Sequence, residues 1–343
     1  MAVYAGAPGG RFFCPRIVRW FAVGKQRMAE IVPDSLRDPR IRTEFVEANG
    51  LRFEVDTCGD GDRLALCLHG FPEHSFSWRH QLPMLADLGY RAWAPNLRGY
   101  GRSSRPQGIE AYSIEDLMAD VAALIDAAGS RETVLLAHDW GAVIAWYFAM
   151  RRIRPLSKLV ICNVPHPGPM RATLSKGFAQ LRRSWYVFFF QLPRLPEWML
   201  GRQGARAVAE SIRRSSADPE QFPDEVLAVY QRNAAQPGAL TAMINYYRAL
   251  VRGGGGRRQQ NAGYPVIDVP TLMVWGEDDV ALTRETTYGT DAYVRNLTVR
   301  YLPRVSHWVQ QEAPQVVNPM IKAFLLDEPV PYLRWEPRLT AVP

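Results

Sequence analysis

The sequence predicts an α/β protein whose mostly parallel sheet is covered by helices on both faces. Short apolar runs, typical of strands that are buried on both faces, alternate with helix-like stretches through the first half of the chain. The same alternation returns near the C-terminal end, after a long stretch without strand signals. That interruption predicts a helical insertion between two strands of one sheet.

The first two strands are expected to form a hairpin. Residues 43–48 and 51–58 alternate polar and apolar side chains around Asn49 and Gly50, which tolerate the positive φ of a tight turn. The strands that follow are predicted from continuous apolar runs. These runs cover residues 64–68, 91–95, 133–137, 158–162, 271–275 and 297–302.

Helical patterns separate these strands. Ser113 precedes one of them, and Glu115 and Asp116 fall in its first turn, so we expect Ser113 to be its N-cap. The helical patterns cover residues 76–88, 114–128, 142–152 and 314–326.

The stretch of residues 168–263 differs in composition from the rest of the chain. It is rich in arginine and aromatic residues, helical in pattern, and ends with four successive glycines near its C-terminal end. We interpret it as a helical cap inserted into a core formed by residues 43–167 and 264–343. Residues 1–42 are expected to be a poorly ordered extension, in which Met28 is an alternative start of translation.

The charge of the chain is basic but uneven. The 343 residues include 41 Lys and Arg and 34 Asp and Glu, a net charge of +7, and residues 151–216 alone contain 13 basic and 2 acidic residues. No nucleic-acid-binding motif accompanies this excess, so nucleic acid is not an expected partner. We interpret the segment as a solvated basic face on the cap, with peripheral membrane contact as the alternative. No apolar run approaches the ~18 residues of a membrane-spanning helix.

The cysteine content indicates reduced thiols. Cys14, Cys58, Cys67 and Cys162 are too few for a disulfide framework in a chain of this length, and their spacing does not match a zinc site. We therefore expect a cytoplasmic protein. His, Cys, Asp and Glu show no metal-ligand spacing either, so neither a metal nor a cofactor is expected.

Polar residues follow four of the predicted strands at the point where each strand ends. These segments are His69–Glu73, His138–Gly141, Gly276–Asp279 and Ser306–Trp308. Because ligands of open α/β sheets bind beyond the carboxyl ends of the strands, we expect the four segments to form one site.

The second segment has the pattern of a nucleophile elbow. Asp139 lies between Ala137 and Gly141, and small residues at these two positions allow the sharp strand-to-helix turn that displays the central side chain. A carboxylate takes the place of the usual serine. It is ionised at neutral pH, so it can attack carbon without a general base.

The chain resembles the soluble epoxide hydrolases of the α/β-hydrolase family over roughly residues 43–326. The resemblance depends on six short motifs in order, none of which is specific alone. They are HGFPE (69–73), HDWG (138–141), WYVFFFQLP (185–193), NYYR (245–248), WGEDD (275–279) and SHW (306–308).

The resemblance implies an α/β-hydrolase fold and the cofactor-independent conversion of an epoxide and water into a vicinal diol. Asp139 would attack an epoxide carbon and form a covalent ester, while Tyr186 and Tyr247 hydrogen-bond the epoxide oxygen. His307, oriented by Asp279, would activate the water that hydrolyses the ester. Phenols suit the first step because they stabilise the developing alkoxide and can donate a proton to it.

The ester hydrolysis also needs an oxyanion hole. The backbone N–H groups of Phe71 and Trp140 are the expected donors. The walls of the substrate pocket are expected to include Phe71, Pro72, Trp140, Phe190 and Trp308.

Three assignments have alternatives. Asp278 is adjacent to Asp279, but the family spacing favours Asp279 as the orienting acid. Tyr246 competes with Tyr247, and the NYYR pattern favours the second tyrosine. Tyr186 lies in an aromatic cluster and could be a core residue instead of a hydrogen-bond donor.

Other functions fit the motifs less well. A haloalkane dehalogenase would share the aspartate elbow, but Phe71 occupies a position where that family commonly has an asparagine, and halide binding does not need two cap tyrosines. A non-catalytic binding protein would be expected to lack part of the Asp139, Asp279 and His307 set. The protein is expected to be a monomer or a homodimer, and bulky aromatic or lipid epoxides are the expected substrates.

Overall fold

The computed structural model describes residues 31–176 and 178–332. An eight-stranded sheet has the order β1-β2-β4-β3-β5-β6-β7-β8. The first three strands in this order pair antiparallel, and all other neighbours pair parallel. The strands are β1 Arg42–Ala48, β2 Leu51–Cys58, β3 Arg63–Leu68, β4 Tyr90–Pro95, β5 Glu132–His138, β6 Lys158–Cys162, β7 Thr271–Gly276 and β8 Leu297–Leu302.

Helices cover both faces of this sheet, and a further group lies between β6 and β7. The helices are α1 Gln81–Asp87, α2 Ile114–Ala128, α3 Trp140–Arg151, α4 Pro167–Lys176, α5 Phe178–Arg183, α6 Trp185–Phe189, α7 Leu195–Ser215, α8 Asp224–Ala234, α9 Ala239–Val251, α10 Gly255–Asn261, α11 Val309–Glu312 and α12 Pro314–Leu325. This arrangement confirms the predicted fold class, an α/β-hydrolase fold with a mostly parallel sheet.

The core lies on the two faces of the central strands. One face packs against α2, α3 and the cap helices, and the other packs against α1 and α12. Alternate residues of each strand serve the two faces, since Leu64, Leu66 and Leu68 belong to the first cluster while Ala65 and Cys67 belong to the second. The continuous apolar runs in the sequence follow from this two-sided burial.

The hairpin and the helix cap have the local geometry that the sequence predicts. Asn49 and Gly50 both adopt positive φ, at 49° and 69°, and form the turn between Ala48 and Leu51, which are the last paired residues of β1 and β2. The side chain of Ser113 accepts a hydrogen bond from the N–H of Asp116 at 3.2 Å.

One predicted helix is divided in the structure. The segment of residues 76–88 contains a 3₁₀ turn, Ser75–Trp78, followed by the separate helix α1. Pro83 explains the division: in a continuous helix its ring would clash with the carbonyl of Arg79, four residues earlier, whereas a helix that begins at Gln81 places the proline in the first turn.

Part of the expected N-terminal extension packs on the core. Val32 and Ile41 are buried, and the guanidinium of Arg37 donates to the hydroxyl of Thr43 at 2.7 Å. The expectations for residues 1–30, including the alternative start at Met28, lie outside the described residues.

The cap sequence folds as helices α4–α10, and no strand occurs in its described residues. None of the helices in the described ranges combines the length and the apolar composition that crossing a membrane requires.

Candidate active site

The loops that follow β3, β5, β7 and β8 converge at one edge of the sheet. They carry Phe71, Asp139, Asp279 and His307, as the positions of these residues after the strands predict. Parallel strands place their carboxyl ends side by side, so residues far apart in the chain become neighbours there.

Asp139 occupies a strained turn between β5 and α3. Its φ of 48° and ψ of −123° lie outside the regions that a non-glycine residue ordinarily adopts. Close packing around the turn leaves no room for a Cβ atom at Gly141, two residues after Asp139, or at Gly70, in the loop that follows β3. A Cβ atom on Gly141 would lie 2.3 Å from the carbonyl oxygen of Leu68, and one on Gly70 would lie 2.2 Å from Oδ1 of Asp139.

The carboxylate of Asp139 is held between a backbone donor and a histidine. Its Oδ1 atom accepts a hydrogen bond from the N–H of Phe71 at 2.6 Å, and its Oδ2 atom lies 3.5 Å from Nε2 of His307. The backbone nitrogen of Trp140 lies at the same turn, 2.5 Å from the position that a Cβ atom on Gly70 would occupy. Of the two N–H groups expected to form an oxyanion hole, that of Phe71 donates to this carboxylate.

His307 connects Asp139 with a second, fully buried carboxylate. Its Nδ1 atom lies 2.6 Å from Oδ2 of Asp279, whose Oδ1 atom accepts the N–H groups of Ala281 and Leu282 at 2.7 and 2.9 Å. The neighbouring Asp278 is exposed. Of the two adjacent carboxylates, Asp279 is therefore the one in contact with the imidazole.

The charges in this group shift one another's pKa values. Burial would lower the pKa of His307, but the charge of Asp279 and the hydrogen bond with Asp139 raise it well above its usual value. Burial would raise the pKa values of Asp139 and Asp279, but their contacts with His307 lower both of them. These shifts favour the charged form of each group, a protonated imidazole between two ionised carboxylates.

Tyr186 and Tyr247 line a cavity together with Asp139. Tyr186 is in α6, Tyr247 is in α9, and their ring centroids are 5.9 Å apart at an interplanar angle of 84°. Burial, and then the charge of Asp139, raise the pKa of both phenols. Both hydroxyl groups consequently stay protonated at neutral pH and can donate hydrogen bonds.

Tyr246 is in a different environment from Tyr247. It is fully buried, and its hydroxyl donates to the carbonyl of Arg98 at 2.9 Å. Its ring packs against Tyr100 and Tyr112. The contacts of Tyr246 are therefore with the core, whereas Tyr247 faces the cavity.

The cavity has a volume of about 210 Å³. Trp140, predicted as a wall, lines it. The other residues predicted to line the cavity are not among the described residues that do so, namely Phe71, Pro72, Phe190 and Trp308. Apolar side chains dominate the walls, namely Val143, Val164, Met170, Val187, Leu250 and Leu282.

Three of these other predicted wall residues pack against site residues instead of lining the cavity. The rings of Phe71 and Phe190 pack edge-on against Tyr247, with centroids 5.4 and 4.9 Å from it. Trp308 packs on His307, and its indole N–H donates to the hydroxyl of Ser215 in the cap at 2.9 Å.

Asn163 is a site residue that the sequence interpretation missed. Its amide N–H donates to Oδ2 of Asp279 at 2.9 Å, and its amide oxygen accepts the backbone N–H of Gly276 at 2.7 Å. The residue directly follows β6, so the rule that found the other site residues also applies to this strand.

Glu73 and His138 form a second buried pair that was not predicted. Nδ1 of His138 lies 2.7 Å from Oε2 of Glu73, and Nε2 lies 2.8 Å from the backbone carbonyl of His307. The N–H of Gly70 and the amides of two glutamines also donate to Glu73. This network links the backbone turn beside Asp139 to the loop that carries His307.

His69 connects two loops. Its Nε2 atom accepts the backbone N–H of Leu97 at 3.1 Å.

Within residues 31–176 and 178–332, no group of three or more His, Cys, Asp or Glu side chains has an arrangement that could hold a metal ion.

Comparison with known proteins identifies relatives that cover most of the chain. Residues 66–314 match the model of the alpha/beta hydrolase fold family. Mouse epoxide hydrolase 4 is 37% identical over 305 residues, covering 86% of this chain and 83% of the relative. The Bacillus subtilis AB hydrolase superfamily protein YfhM is 35% identical over 289 residues, covering 84% of this chain and 99% of the relative.

Solved structures give the same result. The crystal structure of a Bacillus megaterium epoxide hydrolase in complex with an inhibitor has a TM-score of 0.76 and 30% sequence identity, covering 82% of this chain and 100% of that one. The chain therefore belongs to the α/β-hydrolase fold family, and its similar relatives include enzymes named epoxide hydrolases.

Proposed function

We propose that this protein hydrolyses epoxides to vicinal diols through a covalent ester on Asp139. The observation that carries the proposal is the cavity in which a carboxylate and two phenols share one apolar space. The named relatives support the same reaction class.

The first step opens the epoxide ring. Oδ2 of Asp139, which lies on the His307 side and accepts no backbone hydrogen bond, forms a bond to an epoxide carbon while the bond from that carbon to the epoxide oxygen breaks. Tyr186 and Tyr247 donate hydrogen bonds to the leaving oxygen, and one of them transfers its proton to it. The raised pKa values keep both phenols protonated until the negative charge develops.

The second step hydrolyses the ester. Water adds to the ester carbonyl of Asp139, His307 accepts a proton from that water, and the oxyanion lies between the N–H groups of Phe71 and Trp140. Collapse of this intermediate releases the diol and restores the carboxylate. Before this step the imidazole gives the proton that it carries in the free enzyme to the tyrosinate left by ring opening, so that it can accept one from water. The second proton of that water goes to the departing oxygen when the intermediate collapses, so one epoxide and one water become one diol and all groups regain their starting protonation.

Ester formation itself prepares His307 for this role. In the free enzyme two carboxylates raise the pKa of the imidazole, which disfavours its action as a base. The ester carries no charge, so its formation removes the contribution of Asp139 and lowers that pKa. The base therefore becomes competent when there is an ester to hydrolyse.

A cytoplasmic location is part of the proposal. Cys58, Cys67 and Cys162 are buried as free thiols, which a reducing compartment maintains. Fractionation of cells that express the full chain tests this location.

A substrate panel tests the proposed reaction. We expect diol formation from styrene oxide or from a fatty-acid epoxide, and no halide release from an alkyl chloride. The Asp139→Asn variant should form no diol, because a neutral amide cannot attack carbon. Halide release without diol formation would identify a dehalogenase and overturn the proposal.

A further inference from the structure

The segment that carries α6 and the start of α7 exposes large apolar side chains. Trp185, Phe188 and Trp198 are 63%, 61% and 60% exposed, in a protein whose other tryptophans include several that are fully buried. Isolated exposed apolar residues are ordinary, but six of them within residues 185–199 make this segment a candidate interaction surface. We use the name outer cap face for the exposed side chains of Trp185, Phe188, Leu192, Leu195, Trp198 and Met199.

Helix periodicity places these residues on common faces. Trp185 and Phe188 are three residues apart in α6, and Leu195, Trp198 and Met199 follow the i, i+3, i+4 spacing at the start of α7. The first stretch of α7 ends where its backbone turns out of the helical conformation at residues 202–205.

The inner side of the same segment is fixed to the cap. The guanidinium of Arg248 in α9 pairs with Glu197 at 2.6 Å, and it also donates to the backbone carbonyls of Phe190 and Leu192 at 2.9 and 2.7 Å. The segment is thus anchored through its polar groups, and the aromatic side chains that face outward are not required by this anchor.

Two arginines flank the α7 part of the outer cap face. Arg194 and Arg202 are exposed at the two ends of the first stretch of α7, and the guanidinium of Arg202 lies 5.0 Å from the ring of Trp198. In the described residues, no carboxylate lies within ion-pair distance of either arginine. Glu197 is the acidic residue between them, and it points inward to Arg248.

We infer that the outer cap face docks on an anionic phospholipid surface. Tryptophan and phenylalanine with adjacent arginines match the membrane interface, where aromatic rings enter the headgroup region and guanidinium groups contact phosphates. A twofold contact between two copies would instead bring the two arginines of one copy, Arg194 and Arg202, close to those of the other, and like charges would oppose it.

The docked orientation would place the active-site cavity next to the bilayer. In α6, Tyr186 and Val187 line the cavity while Trp185 and Phe188 belong to the outer cap face. If the proposed epoxide hydrolysis is correct, apolar epoxides dissolved in the lipid would reach the cavity over a short path. The docking itself does not depend on that activity.

Co-sedimentation of the full chain with vesicles tests the inference. We expect binding to vesicles that contain phosphatidylglycerol, weaker binding at high salt, and little binding to vesicles of phosphatidylcholine alone. The combined substitutions Trp185→Ser, Phe188→Ser and Trp198→Ser should reduce the partition coefficient about tenfold or more. The combined substitutions Arg194→Gln and Arg202→Gln should reduce it to a similar extent and weaken its salt dependence.

A matched control comes from another exposed aromatic with an arginine over its ring. Phe45 in β1 lies 3.7 Å below the guanidinium of Arg52, and the variant with Phe45→Ser and Arg52→Gln should bind vesicles as the unchanged protein does. Circular dichroism and the Tm establish that each variant is folded.

Two results would overturn the inference. One is equal vesicle binding by the control variant and both cap variants. The other is concentration-dependent self-association that the cap substitutions abolish in a protein that does not bind vesicles, which would assign the surface to a second copy of the chain.

Discussion

Asp139 combines two properties that a nucleophile in this position needs. Its pKa is lowered by His307, which keeps it ionised, and the turn that displays it fixes one oxygen against the N–H of Phe71. A serine at the same elbow would need a base to remove its proton before attack, whereas here the histidine is available for the second step.

The tyrosines give a prediction with an internal control. Tyr186→Phe and Tyr247→Phe should each slow ring opening by about tenfold to a hundredfold, and the double substitution should nearly abolish it, because the alkoxide then has neither donor. Single-turnover formation of the ester measures this step directly.

The control is Tyr246→Phe, in which only a core hydrogen bond to Arg98 is lost. We expect unchanged ring opening and a decrease of about 1 kcal/mol in the free energy of unfolding. Equal effects of all three single substitutions on ester formation would contradict the assignment of the two cavity phenols.

At the scale of secondary-structure elements, the end of β6 is tied to β7 through one side chain. Asn163 has a φ of 45°, donates to the carboxylate of Asp279 and accepts the N–H of Gly276. Asn163→Gly keeps this left-handed backbone conformation accessible, so it removes the side chain without straining the backbone, and the greater freedom of glycine in the unfolded chain adds to the loss of stability. We expect a loss of about 1–3 kcal/mol in the free energy of unfolding, because Gly276 is left without its acceptor.

The same variant should also slow ester hydrolysis. Loss of the amide donor removes a contribution that lowers the pKa of Asp279 and leaves the carboxylate less firmly oriented toward His307. Turnover should therefore decrease while the rate of ester formation changes little. A decrease in ester formation alone would contradict this role of Asn163.

The sequence predicted the strands and most core helices closely because two-sided burial produces continuous apolar runs. It predicted one helix over residues 76–88 because apolar periodicity does not show that Pro83 requires a new start. Glu73 and His138 lie in segments that were expected to form the site, but their pairing was not predicted, because it is a contact between two loops, which spacing along the chain does not encode.

At the scale of the whole molecule, the buried charges of the site make stability depend on pH. The pKa of His307 is raised in the folded state, so its contribution is complete below the unfolded value of ~6.5 and is lost as the pH rises through the folded value. The pKa of Asp279 is lowered, so its contribution is present above ~3.9 and is lost as the pH falls through the folded value.

These opposite dependences define a pH range in which both groups contribute to the free energy of unfolding. The unchanged protein should exceed the His307→Gln variant in the free energy of unfolding by about 3 kcal/mol between pH ~4 and ~6.5. The difference should shrink at alkaline pH, where the imidazole is neutral. Urea unfolding of both proteins across this pH range measures it, and a difference that grows with rising pH would contradict the proposed charge arrangement.

The site as a whole depends on the cap as well as on the sheet. Tyr186 and Tyr247 come from α6 and α9. Arg248, the residue after Tyr247, links the two helices because its guanidinium donates to the carbonyl of Phe190 at the end of α6. The motifs predicted both tyrosines, but the structure was needed to place them in one cavity with Asp139. The cavity wall itself was predicted only in part, since wall residues such as Val143, Met170 and Leu250 have no distinguishing pattern in the sequence.

The most direct test of the two-step mechanism is the mass of the intact His307→Gln variant after mixing with an epoxide. The nucleophile and the cavity phenols remain in this variant, but the base for ester hydrolysis is absent. We expect a stable adduct whose mass exceeds that of the protein by one epoxide molecule, located on Asp139 by peptide mapping. Turnover of the epoxide by this variant at the rate of the unchanged protein, with no adduct, would contradict the two-step mechanism.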